Sequence, residues 1–294
     1  MVVSTLPTPF ALSAQDAAFY VEHGSVTTPT VLDDALAGME QHWTGHRDRT
    51  LAGARMHFVD WMPSDGAGTQ NNEYLSLQNQ KISWLARCST IGSIAAAAET
   101  TEIRLFDDQI FNKPGGRTDA VVGWPVDADY GRTCSSKNML TAWVPLPDCP
   151  EKMGPLVVLD GSHKWSHKID RSILSLNSPD MDLLKRHVEE LSLECKPVTV
   201  SMQSNQFSLH NCLAVHASYP NRGSRPRVAP AVHLQDHSNH YQAATKPDGR
   251  PVQIYNDLIC SKDADGKPEF KDDSIFPVFW PAESETLPQN GARC

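Results

Sequence analysis

Asp127 and His216 are the two side chains of this sequence whose types suit a shared metal ion, and Arg227 follows His216 by 11 residues. Asp127 lies 89 residues before His216, so only the fold could bring them together. A carboxylate and an imidazole held side by side bind a divalent cation and leave coordination positions open. They make up most of a 2-His-1-carboxylate facial triad, whose free sites accept a chelating cosubstrate and oxygen. An arginine on an adjacent strand could clamp a dicarboxylate through two parallel N–H···O contacts. Spacing alone is weak support, because an aspartate and a distant histidine are more often a surface carboxylate and a hydrogen-bonded ring.

Other chemistry-bearing strings carry less. Gly115-Gly116 has no Lys-Ser/Thr after it and reads as a turn rather than a phosphate loop. Ser162-His163 has neither a nucleophile elbow nor a third partner. Phe276, Pro277, Phe279 and Trp280 read as a packing patch or substrate lid rather than a cofactor box. His237, His240 and Tyr241 read as loop residues rather than the mouth of a site.

The elements that must position these residues change texture along the chain. Ser13 with Asp16, and Thr30 with Asp33, are paired as N-cap and N3 ahead of apolar residues at helical spacing. Ile82, Leu85, Ala86, Ile91 and Ile94 predict one longer helix over 79–99. Residues 102–113 then alternate and run into Pro114-Gly115-Gly116, a strand and turn. Short strands are expected at 139–146, 155–159, 197–200, 206–215 and 227–234, with Asp127 near the end of another. Ser178-Pro179-Asp180 opens one isolated helix over 179–192. From Ser261 the tail is rich in Asp, Lys and Pro and reads as a surface loop or lid. Helices first, then many short strands, predict an α+β chain with a mainly β core, a sandwich or jelly roll. No linker divides it. The expectation is one domain over 1–294, helical over about 1–100, β over about 101–240 and a lid or tail over about 241–294.

Composition narrows the partners. The chain has 294 residues, 40% hydrophobic and 21% charged, with a formal net charge of −9. That balance lacks the footprint of a nucleic-acid binder and has no polybasic run for an anionic membrane. Seven cysteines, an odd number without a CxxC pair, argue against a disulfide framework or zinc knuckle. No basic-then-apolar leader opens the sequence, and the apolar run at 91–98 is too short to span a bilayer. The expected setting is cytoplasmic, with a small-molecule substrate or another protein as the partner.

Five strings in order resemble the phytanoyl-CoA dioxygenase family. They are residues 105–114 (LFDDQIFNKP), 122–130 (VGWPVDADY), 140–146 (LTAWVPL), 154–164 (GPLVVLDGSHK), and His216-Ala217-Ser218 with Asn221 and Arg227. The resemblance covers about 100–235. It implies a double-stranded β-helix of the jelly-roll, cupin-like type, with the N-terminal helices packed on one sheet. It also implies Fe(II), 2-oxoglutarate and O2 as cofactor and cosubstrates. Asp127 and His216 would be iron ligands, Arg227 would pair with the distal carboxylate of 2-oxoglutarate, and Gln109, Trp143 and Ser218 would line the cosubstrate pocket. His163 would belong to a structural turn. The retained Asp127 argues against the halogenase subtype, which has a small residue there.

The departure is at position 125. The family carries a histidine two residues before the aspartate, whereas this chain reads Trp124-Pro125-Val126-Asp127. Proline cannot ligate iron and removes an amide donor from the backbone. His210, an even six residues before His216, and His233 on the next strand are candidate replacements. Asp129, two residues past Asp127, would share its face on a regular strand. The resemblance therefore implies an Fe(II)/2-oxoglutarate oxygenase of a small molecule, such as a natural-product intermediate, altered at its metal site. The alternatives are a non-catalytic or accessory relative, or a metal-independent isomerase or cyclase on the same fold.

Overall fold

The computed structural model describes residues 12–280 apart from 30–31, 33–35, 37–38, 48–59, 62–68, 79, 86–87, 99–101, 118–119, 166–168, 170–172 and 175–181. The Thr30/Asp33 cap and the Ser178-Pro179-Asp180 helix start fall outside the described residues.

Helix α1 (Ala14–His23) begins as its sequence predicts. Ser13 Oγ accepts from the Asp16 amide at 3.0 Å and donates to Asp16 Oδ2 at 2.6 Å. It ends at Gly24, whose φ of 77° lets its amide reach Tyr20 O. Helix α2 is Met39–Arg47. The predicted long helix is instead two, α3 (Gln80–Leu85) and α4 (Ser89–Ala98). Cys88 lies between them outside any helix, and Ser89-Thr90 favour a helix start over a helix interior.

The strands are β1 (Ser25–Thr27), β2 (Asp60–Trp61), β3 (Gln70–Glu73), β4 (Ile103–Lys113), β5 (Leu140–Trp143), β6 (Leu156–Leu159), β7 (Pro197–Thr199), β8 (Ser208–Asn211), β9 (His216–Ser218), β10 (Arg227–Asp236) and β11 (Val278–Trp280). One antiparallel sheet runs β1-β8-β5-β10-β4-β3-β2, with β11 also paired to β4. A smaller antiparallel sheet runs β7-β6-β9. Together they form the expected jelly roll. Helices α5 (Leu183–Glu190) and α6 (Tyr255–Ile259) lie in the connections. No helix among the described residues is long and apolar enough to cross a membrane.

Period-two alternation gives the large sheet two different faces. Ile110, Ala142, Leu209, Val228 and Val232 point outward to Tyr20, Trp43, Leu85, Ile91 and Ile94 of the N-terminal helices. Trp143, Ala229 and Ala231 point inward and pack against Leu156 and Val158 of the small sheet. The inner face is where the site forms.

Three expectations need correction. The first hundred residues contribute three strands as well as helices, because the ends of β8 and β4 offer unpaired backbone groups that short polar segments can satisfy. Residues 206–215 do not form one strand: β8 stops at Asn211 and a turn delivers His216 into the other sheet. Asp127 does not end a strand but opens a 3-10 turn, Asp127–Asp129, after the extended Val126.

Phe276 and Phe279 are buried, and the Phe276 ring stacks on Phe106 at 5.9 Å, so this aromatic group packs the core.

Candidate metal and cosubstrate site

A cavity of about 160 Å³ opens on the inner face between the two sheets. One register row builds its centre. Asp107 of β4 pairs with His233 of β10, His233 with Thr141 of β5, and Thr141 with His210 of β8. Four polar side chains thus project from four neighbouring strands toward one place.

Asp127 reaches this row from its turn, which is held by the Ala128 amide donating to Cys212 O at 2.9 Å. Its Oδ2 accepts from Thr141 Oγ1 at 2.6 Å and lies 3.2 Å from His210 Nε2. Its Oδ1 lies 3.5 Å from His216 Nε2. His233 Nδ1 is 2.8 Å from Thr141 Oγ1 and 3.8 Å from the carboxylate. Thr141 has one proton, given to Asp127, so it accepts from His233 Nδ1–H.

His216 is held from both sides. Its amide donates to Pro125 O at 3.1 Å, and its Nδ1–H donates to Ala214 O at 3.0 Å. That bond fixes the tautomer and leaves the Nε2 lone pair facing Asp127, the usual preparation of a metal-binding histidine. Donor atoms of Asp127, His210 and His216 all lie within 4.8 Å of one another. Burial opposes the Asp127 charge, but His216, His210 and His233 together hold the carboxyl well below the usual range. Burial pushes His210 and His233 down, toward neutral rings with free lone pairs.

This donor set fits a facial triad with one weak point. Bonds near 2.1 Å put adjacent donors about 3 Å apart, close to the two carboxylate–imidazole distances here. His210 Nδ1, however, is buried without a hydrogen-bond partner. Metal on Nε2 would place the proton on that orphaned nitrogen.

Arg227 stands further along β10, with Trp143 5.4 Å from its guanidinium. It is buried, its Nε has no hydrogen-bond partner, and it makes no ion pair among the described residues. Lys113, opposite it in register, is buried too and donates to Ser218 O at 2.7 Å and Tyr219 O at 2.8 Å. Burial, then the neighbouring Arg227, pushes the Lys113 ammonium well below its ordinary range. A buried arginine without a counter-ion calls for an anion.

Asp127, His216, Gln109, Trp143, Ser218 and Arg227 all line this one cavity, as do Pro125, His210 and His233. Asp129 does not line it, because the 3-10 turn breaks the two-residue periodicity. His163 donates to Val21 O at 3.1 Å, away from the cavity. Of the group 237–241, His240 pairs with Ser135 and Tyr241 packs on Phe270. Thr141, Glu73, Asp107 and Asn71 also line the cavity and escaped the sequence reading. Only the alternation of β4, which puts Asp107 on the same face as Gln109, could have found one of them.

A model of the phytanoyl-CoA dioxygenase (PhyH) family matches residues 20–229. The chain belongs to the phytanoyl-CoA dioxygenase family. Solved structures share the PhyH fold. SnoN, a non-heme alpha-ketoglutarate-dependent epimerase from nogalamycin biosynthesis, superposes with a TM-score of 0.66 at 22% identity, covering 90% of this chain and 97% of SnoN. SnoK, the carbocyclase of the same biosynthesis, gives 0.68 at 20%, covering 91% and 96%. EctD from S. alaskensis with 2-oxoglutarate and 5-hydroxyectoine gives 0.62 at 18%, covering 86% and 88%. No curated protein matches. In this chain Pro125 lines the cavity two residues before Asp127, beside the polar centre.

Proposed function

We propose that this chain is an Fe(II)/2-oxoglutarate-dependent enzyme acting on a small molecule, with His210 taking the ligand role that Pro125 cannot fill. The observation that carries this is the convergence of His210 and His216 on opposite oxygens of Asp127, beside a buried Arg227 without a counter-ion. Asp127, His216 and His210 would hold the metal. Arg227 would take the distal carboxylate of 2-oxoglutarate, with Trp143 under the guanidinium and Gln109 and Ser218 along the wall. Iron with 2-oxoglutarate and O2 supplies oxidation of an unactivated C–H bond with release of succinate and CO2. The protein's own part is orientation and exclusion of water: Thr141 fixes the carboxylate, Ala214 O fixes the His216 tautomer, and the two sheets close over the site.

SnoN and SnoK, an epimerase and a carbocyclase, support a tailoring reaction on a natural-product intermediate as the reaction class. A second copy or a related dioxygenase remains the proposed protein partner, and one cytoplasmic domain the proposed organisation. Pro125 itself favours a second reading, a relative that keeps the fold without iron chemistry.

The test is Fe(II)-dependent succinate release from 2-oxoglutarate by the chain as it stands, by Pro125→His and by His210→Ala. Turnover by the unaltered chain that His210→Ala abolishes supports the proposal. Turnover by Pro125→His alone supports the second reading.

A further inference from the structure

Where the central row reaches β4 and β3, one wall of the cavity carries two carboxyls that hydrogen-bond to neither the proposed metal ligands nor Arg227. Glu73 of β3 pairs in register with Gln109 of β4, and Asp107 lies on the same face two residues along. The Gln109 amide bridges the two carboxyls, donating to Glu73 Oε1 at 3.3 Å and to Asp107 Oδ2 at 3.5 Å. Asn71 Nδ2 donates to Glu73 Oε1 at 3.1 Å. What remains is a surplus of acceptors: Asp107 Oδ1 and Asn71 Oδ1 are both buried with no hydrogen-bond partner.

Resting on the enzyme reading above, we propose that this wall binds a protonated amine of the substrate, held by Glu73, Asp107 and the Asn71 carbonyl. Each of those groups offers lone pairs, and among the described residues none has a cation to face: apart from histidines, Arg227 is the one basic residue among those that line the cavity, near the far end of β10. From Asp107 to Lys113, which faces Arg227, is six residues of β4, about 20 Å at roughly 3.3 Å each. Arg227 therefore cannot neutralise the acidic wall. Burial, then Glu73 and Asp108, push the Asp107 carboxyl well above its ordinary range, and burial pushes Glu73 up. An incoming ammonium relieves both, through charge-assisted hydrogen bonds in a dry site.

A bare metal ion suits the wall less. The wall offers two carboxyls and one amide carbonyl, short of the about six or more oxygen ligands that Mg2+ or Ca2+ takes. The position of the wall also matters. Asp107 is the register neighbour of His233, one strand from Thr141 and Asp127, so an amine anchored there places its neighbouring carbons beside the metal ligands.

The test uses benzylammonium, benzyl alcohol and benzoate at millimolar concentration against the full chain, with binding read by saturation-transfer NMR. Benzylammonium is expected to bind at least about tenfold better than the other two. Glu73→Gln and Asp107→Asn are each expected to weaken it about tenfold or more while leaving 2-oxoglutarate binding, followed by calorimetry, unchanged. Asp107→Asn is expected to fold with an unchanged or raised Tm, since it removes a buried carboxyl that lacks a cation. Equal binding of the alcohol, or amine binding that survives both substitutions, overturns the inference. So does Mg2+ or Ca2+ binding that the same substitutions abolish. If 2-oxoglutarate binds and the amine does not, the amine site fails and the enzyme reading stands. If the amine binds and 2-oxoglutarate does not, the enzyme reading fails instead.

Discussion

Replacing His210 by alanine is expected to weaken Co(II) or Fe(II) binding by at least about 100-fold. Residues that only hydrogen-bond to a metal ligand are worth about 10- to 100-fold, so a ligand itself starts at the top of that range, about 2.7 kcal/mol. The geometry supports the full loss: His210 Nε2 is 3.2 Å from Asp127 Oδ2, close to the spacing of adjacent donors round one ion. An opposing cost limits the unaltered site. With metal on Nε2 the proton sits on Nδ1, which is buried without an acceptor, and an unsatisfied donor costs about 1–3 kcal/mol. The present site is then about 5- to 150-fold weaker than one whose ligands are all hydrogen-bonded. Pro125→His brings a ring to the position the family uses and is expected to recover much of that factor. In its background His210→Ala is expected to lose less than about tenfold, because His210 is no longer needed. Anaerobic calorimetry with Fe(II), or Co(II) titration followed by d–d absorption, measures all four corners of the cycle. Binding by His210→Ala within about threefold of the unaltered chain refutes the ligand role. Equal losses in both backgrounds refute the substitution of one histidine for the other.

Three further outcomes follow from the same structure. Arg227→Met is expected to weaken 2-oxoglutarate binding by at least about 30-fold, some 2 kcal/mol, with little change in Tm because the guanidinium has no ion pair among the described residues; calorimetry reads the first and thermal denaturation the second. Gly154→Ala is expected to destabilise the fold by about 2 kcal/mol or more, a Tm drop of roughly 4 °C or more, since its φ is 64° and a Cβ would overlap the Tyr219 and Pro220 carbonyl oxygens. Asp108 is buried on the outer face of β4 and its carboxyl is pushed up to about 6 by burial, against the opposing hydrogen bonds from Ser76. Its folded pKa is above the unfolded value, so folding takes up a proton at this group: its contribution to stability is greatest below about pH 4, falls by about 3 kcal/mol as pH rises to about 6, and is then flat. Denaturant melts across that range should show Asp108→Asn with a flatter profile than the unaltered chain.

The jelly roll and the family were legible because five strings keep their order, and because strands such as 102–113 alternate strongly. The same strings single out Asp127, His216 and Arg227, and the fold brings all three to one cavity. His210 was reached by an argument that the fold does not obey. Even spacing to His216 presumes one strand, whereas His210 is on β8 and His216 on β9 of the other sheet. The two rings nevertheless lie 4.7 Å apart, because the turn at 212–215 folds the chain across the gap between sheets. Glu73 and Asn71 were illegible: a four-residue polar strand carries no alternation of its own, and it forms because β4 presents an edge for it. A pair made by register between segments 36 residues apart leaves no local trace.

Pro125 also becomes intelligible once the backbone is traced. The bond that links this segment to β9 runs from the His216 amide to the carbonyl of residue 125, at 3.1 Å. A carbonyl is the one backbone hydrogen-bonding group that proline retains. The Val122–Ser218 bridge holds the segment three residues earlier, and Ala128 N to Cys212 O holds it three residues later. These three backbone links between the Asp127 segment and the segment that carries His216 are therefore independent of the side chain at 125. Proline at 125 offers no side-chain donor and leaves the backbone bonds that aim Asp127 and His216 in place. For that reason the metal question reduces to the donor set alone, and the pair of variants at 125 and 210 can answer it.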